Sequence, residues 1–107
     1  MKITRFEDIE SWKEARILTK KICRLSTKQA FSKDFGLRDQ IQCAAVSIMS
    51  NIAEGFDGGS HKASENFLTY AYRSTTELQS LLYVALDTEY INEPVFQGCF
   101  DQAAKTK

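Results

Sequence analysis

The chain has 107 residues, 43% of them apolar and 26% charged, with one proline and five glycines, so a single domain over residues 1–107 with little linker is expected. Its longest apolar run, Leu81 to Leu86, falls far short of the roughly 18 residues that cross a bilayer, and Met1-Lys2-Ile3-Thr4-Arg5 lacks an apolar signal core, so a cytoplasmic protein with no membrane partner is expected. Net charge is zero but unevenly spread: residues 1–33 hold nine Lys/Arg against four Asp/Glu, and residues 34–107 hold five against ten.

The periodicity predicts four helices. The first runs from Asp8 to Ser26, with Trp12, Ala15, Thr19, Ile22, Cys23 and Ser26 on one face and Leu18 and Leu25 at its edge. Thr4 followed by Glu7 has the spacing of a capping box. The second runs from Lys33 to Glu54, with Ser32 as N-cap and Gly55 as the glycine stop. Ile41, Ala44, Ala45, Ile48 and Ile52 form one apolar stripe, and Val46, Met49 and Ala53 an adjacent one, wider together than a one-sided surface helix needs. A self-associating surface or a denser core would explain the excess.

Phe56-Asp57-Gly58-Gly59-Ser60 reads as a turn. The third helix follows from His61 to Thr88, with Phe67, Tyr70, Ala71, Ser74, Leu78, Leu81, Leu82 and Ala85 in helical spacing. The fourth starts near Glu93, with Asn92 as N-cap and Pro94 in the first turn, and is much shorter than the third. Short joins between long helices favour antiparallel neighbours, so the fold expected is an all-α, up-down antiparallel four-helix bundle with a short fourth helix. Either the fourth helix is incomplete in this chain or the far end of the bundle is covered by something else.

Three blocks carry a family resemblance: Arg5-Phe6-Glu7-Asp8-Ile9-Glu10-Ser11-Trp12-Lys13-Glu14-Ala15, the stretch from Gly36 to Phe56, and Phe67-Leu68 through Ser74-Thr75-Thr76-Glu77-Leu78 followed by Glu89-Tyr90-Ile91. The most specific part is Ser47 to Phe56, which contains Asn51-Ile52-Ala53-Glu54-Gly55-Phe56. The chain resembles the bacterial four-helix-bundle proteins encoded in intervening sequences of 23S ribosomal RNA genes, whose relatives include the accessory protein of diversity-generating retroelements. The resemblance covers nearly the whole chain. It implies a left-handed bundle assembled as a ring-like homopentamer, and it implies no known reaction. The retroelement relatives are strongly basic and bind nucleic acid; this chain, with no net charge, departs from them.

The candidate interface is a basic row. Arg16, Lys20, Arg24 and Lys28 are spaced i, i+4, i+8 and i+12, with Lys13 and Lys21 flanking, and such a row suits successive phosphates. The row contains no aromatic residue, so base stacking is not expected. The other reading is a face that is solvated or paired with acidic residues of a neighbouring subunit. A second constellation, Ser47, Asn51 and Glu54 with Ser74 and Glu77, reads as a structural polar network fixing helix register rather than as an acid/base site, because no nucleophile–base pair accompanies it.

His61 is the only histidine, and Cys23, Cys43 and Cys99 contain no CxxC pair, so no metal site, disulfide framework or cofactor is indicated. The cysteines read as small, mostly buried, reduced residues. The glycines after Gly55 lack the lysine and preceding strand of a phosphate loop. Tyr72 and Tyr83 lie opposite the main stripe of the third helix and suit a subunit interface. The function expected is a non-enzymatic homo-oligomer presenting a basic face to structured RNA or DNA, with no small-molecule substrate. The alternative is a protein-interaction scaffold with no nucleic-acid role.

Overall fold

A computed structural model describes residues 3–57 and 60–107. Gly58 and Gly59 of the expected turn lie outside the described residues, as do Met1 and Lys2. The chain enters through a 3-10 turn, Phe6–Asp8, which a single extended residue, Ile9, separates from α1 (Glu10–Ser26). The Thr4–Glu7 capping box does not form, since neither start carries a side-chain cap. Ala15, Leu18, Ile22 and Ser26 are the buried residues of α1; Leu18, expected at the edge, is at its centre.

Thr27 and Lys28 then lead into a short helix, α2 (Gln29–Lys33), which buries Phe31. The long helix α3 therefore starts later than expected and runs Phe35–Asp57. Ser32 lies inside α2 and bonds back to the Gln29 carbonyl, while Asp34 takes the capping role by accepting the Leu37 N–H at 3.1 Å. Asp34 wins because its second carboxylate oxygen is held too, by the Tyr90 hydroxyl at 2.9 Å. Stacking of Phe31 on Tyr90, with centroids 5.2 Å apart, closes this end of the molecule.

Gly55 does not stop α3. It is buried within the helix, where an added Cβ would stand 3.3 Å from Phe67 Cβ and 3.4 Å from the Ser64 carbonyl oxygen. Its role is close approach of two helices, not a left-handed stop. The partner helix α4 (His61–Asp87) is capped by Ser60, which accepts the Ala63 N–H. Asn92 caps α5 (Glu93–Ala104) in the same way, with Pro94 in the first turn as expected.

Cross-helix hydrogen bonds fix the topology. Thr19 of α1 bonds to the carbonyl of Ala45, and Ser26, further along α1, accepts from Gln42, which is earlier in α3. Gln40 and Ser47 of α3 meet Glu77 and Ser74 of α4; Gln79 and Thr75 of α4 meet Phe100 and Thr106 at the other side. Each pairing runs in opposite directions along the chain, so the four main helices are packed antiparallel, with α3 and α5 each between α1 and α4. Leu18, Ile22, Ile41, Ile48, Leu78 and Leu82 are fully buried at the centre. Burial of each such side chain is worth about 1.5–3 kcal/mol.

Only part of the wide apolar arc of α3 goes into this core: Ile41, Ala44, Ala45, Ile48 and Ile52 are buried, whereas Val46 is exposed. Tyr70, placed on the inner stripe by spacing alone, is half exposed. The short α5, at 12 residues, covers about 18 Å of an α4 that is about 40 Å long. Where α5 ends, Thr106 turns inward and its hydroxyl meets Thr75 at 2.9 Å. Beyond it, Ile3 and Ile9 of the entering segment line a cavity of about 360 Å³ with Ile52, Phe56 and Leu68, and so supply part of the missing cover.

Candidate nucleic-acid interface

The basic row divides between two sides of α1. Residues four apart on a straight helix advance by about 40°, so the row winds around the axis. Lys13, Arg16 and Lys20 line a groove of about 560 Å³ together with Arg5, Glu7, Trp12 and Ile17. Lys21 and Arg24 face a different cleft of about 300 Å³, between α1 and α5, with Leu25, Val95 and Cys99 at its base. Lys28 is not on the row at all: α1 ends at Ser26, and Lys28 is the extended residue that precedes α2.

The larger groove brings together four cations and one carboxylate. Arg5 is partly neutralised by Glu7 at 3.3 Å and Asp8 at 3.8 Å, and Lys13 by Glu10 at 3.3 Å. These are exposed pairs of small worth, easily exchanged for another anion. Arg16 and Lys20 make no ion pair among the described residues, and both are exposed.

Trp12 forms part of the same groove. Phe6 meets its indole edge-on, with centroids 5.1 Å apart and planes at 71°, and the Arg16 guanidinium carbon stands 6.0 Å from the ring centroid. An aromatic surface therefore accompanies the cations, contrary to the expectation from the row alone. The sequence reading passed over Arg5 and placed Trp12 on the apolar face of the first helix; the structure has Trp12 packed against the core and lining the groove as well. The i, i+4 spacing of Trp12 and Arg16 was the available signal; the return of Arg5 depends on the 3-10 turn and was not visible.

The polar constellation is brought together in part. Ser47 and Ser74 hydroxyls meet at 2.9 Å across α3 and α4, and the Asn51 amide donates to the Ser47 carbonyl at 2.8 Å and hydroxyl at 3.0 Å. Glu77 instead reaches Gln40 at a marginal 3.5 Å, and exposed Glu54 has no hydrogen-bond partner among the described residues. Since Glu77 lies level with Gln40, Glu54 is about 21 Å further along the bundle, and the two carboxylates cannot act on one substrate atom.

His61 is exposed in the first turn of α4 and pairs with Glu65 at 3.0 Å. No group of three or more potential metal ligands occurs among the described residues. Cys99 is buried and Cys23 half-buried, but Cys43 is exposed, against expectation. Burial pushes the Cys99 thiol up, and nearby Lys21 opposes the shift. Tyr72 and Tyr83 are both about half exposed: Tyr83 packs on Phe96 and Phe100, and Lys107 sits over the Tyr72 ring.

No helix among the described residues is long and apolar enough to cross a membrane. Residues 7–107 match the family model described as 23S rRNA-intervening sequence protein. Among curated proteins none matches the chain.

Proposed function

From the premise that the chain belongs to the 23S rRNA-intervening sequence protein family, we propose that it is a non-enzymatic, oligomeric helical bundle that binds structured RNA or DNA through the groove on α1. The observation that carries this reading is the convergence of Arg5, Lys13, Arg16 and Lys20 on one groove, where Glu7, Asp8 and Glu10 pair with Arg5 and Lys13 and leave Arg16 and Lys20 free of ion pairs among the described residues. Such a groove neutralises backbone phosphates and releases counterions. The left-handed sense of the bundle, the ring-like homopentamer, kinship with the retroelement accessory proteins and a cytoplasmic location belong to the same proposal, on resemblance.

Self-association draws support from Val46 on α3 and Tyr70 and Val84 on α4, which are exposed at 48%, 50% and 44%. The same residues favour a second reading, a protein-interaction scaffold without a nucleic-acid role, in which the apolar surface of α3 and α4 is the working face.

The test is binding of the purified protein to a folded RNA and a DNA duplex over a salt series, with light scattering to fix the assembly mass. Binding that weakens steeply with salt supports the nucleic-acid reading. An oligomer that ignores both nucleic acids at low salt refutes it and leaves the scaffold.

A further inference from the structure

We propose that the α1 groove receives an unpaired nucleotide, with its base stacked on Trp12 and its flanking phosphates on Arg16 and Lys20. This rests on the nucleic-acid reading of the same groove and specifies what it recognises. A groove that served phosphates alone would need only cations. This one has an indole in its wall, held at a fixed angle by the edge of Phe6.

Trp12 is half-buried, so its position is set by the core beneath it while part of it faces the groove. Arg16 lies over the ring at 6.0 Å, a loose distance for a cation–π contact and slightly under twice the roughly 3.4 Å step between stacked bases. Arg16 is long, exposed and free of an ion pair among the described residues, so a shift of about 1 Å admits a base between guanidinium and indole. Lys20 follows one turn later on the same side, where the next phosphate would lie. Bases inside a duplex cannot enter such a slot. Loops, bulges and single strands can, because their bases are unstacked.

The sequence supplies its own reporter, since Trp12 is the only tryptophan. The experiment titrates the full chain with a single-stranded oligouridylate and with a duplex RNA of the same length, following Trp12 emission and the anisotropy of labelled RNA. The single strand is expected to quench Trp12 and the duplex to leave it unchanged. Trp12→Leu, checked for an unchanged melting temperature, is expected to weaken single-strand binding roughly ten-fold at every salt concentration, with the same salt slope. Arg16→Lys keeps the charge and loses the planar group, and is expected to weaken quenching without altering the slope.

If both forms bind in a salt-dependent way while Trp12 emission and the affinity of both variants stay unchanged, the stacking slot is refuted and the phosphate reading survives. If neither form binds at low salt, both fail together.

Discussion

The division of the basic row makes a prediction that the row itself does not. Arg16→Gln with Lys20→Gln removes the two groove cations free of ion pairs among the described residues; Lys21→Gln with Arg24→Gln removes an equal charge from the cleft between α1 and α5. Each phosphate contact contributes about 0.9 to the slope of log affinity against log salt on duplex and about 0.7 on single strands. Losing two contacts thus flattens the slope by about 1.4–1.8. Between about 50 mM and 200 mM salt, the variant's affinity then falls roughly ten-fold less than the wild type's. The second pair, outside the groove, leaves the slope within a few tenths of wild type. Fluorescence anisotropy at four salt concentrations measures both. Equal flattening by the two pairs would mean that the whole helix contacts nucleic acid, and the groove assignment would be wrong.

Three further outcomes follow from the packing and the titratable groups. Gly55→Val forces side-chain bulk against Phe67 and the Ser64 carbonyl and is expected to cost about 1–3 kcal/mol, read as a lower urea midpoint at unchanged m-value. Tyr90 has its hydroxyl pushed above the ordinary tyrosine range, first by the hydrogen bond to Asp34, then by burial and the Asp34 charge. A raised folded value means stability that is whole below about pH 10 and is lost as pH climbs through the folded value, so Tyr90→Phe should flatten the alkaline limb of a stability–pH curve. In native protein Cys43 should be alkylated fast and Cys99 slowly, with mass spectrometry of timed iodoacetamide reactions as the check.

The helices were legible because their warrants are local. Asn92 with Pro94 marks the start of α5, and the 3.6-residue spacing of Leu78, Leu82 and Ala85 marks the inner face of α4. The misread start and stop of α3 share one cause, a competing tertiary contact. Ser32 and Asp34 are comparable caps by propensity, and Tyr90, 56 positions downstream of Asp34, decides between them. Gly55 looks like a stop until α4 is seen crossing it. The candidate interface was half legible. Charge spacing found Lys13, Arg16 and Lys20, but the drift of the i, i+4 row carried Arg24 to the other cleft, Lys21 lies about 100° round the helix from Lys20, and the end of α1 removed Lys28.

The charge asymmetry of the chain sets a last test of whether the proposed nucleic-acid groove and the proposed self-association are independent. The acidic side chains Asp39, Glu54 and Glu77 are exposed on α3 and α4, and the basic groove is on α1, so a copy that placed its acidic face in a neighbour's groove would satisfy both. Such a contact would compete with nucleic acid for Arg16 and Lys20. An interface built on Val46, Tyr70 and Val84 would not. The two arrangements are told apart by salt, because charge pairing is weakened by screening and apolar burial is not. With the groove free, assembly mass should hold as salt rises, while Arg16→Gln with Lys20→Gln weakens RNA binding and leaves the mass unchanged. Val46→Lys should do the reverse. Dissociation at high salt and also on removing Arg16 and Lys20 would instead place those cations in the subunit contact and remove the groove from any nucleic-acid role in the assembled protein.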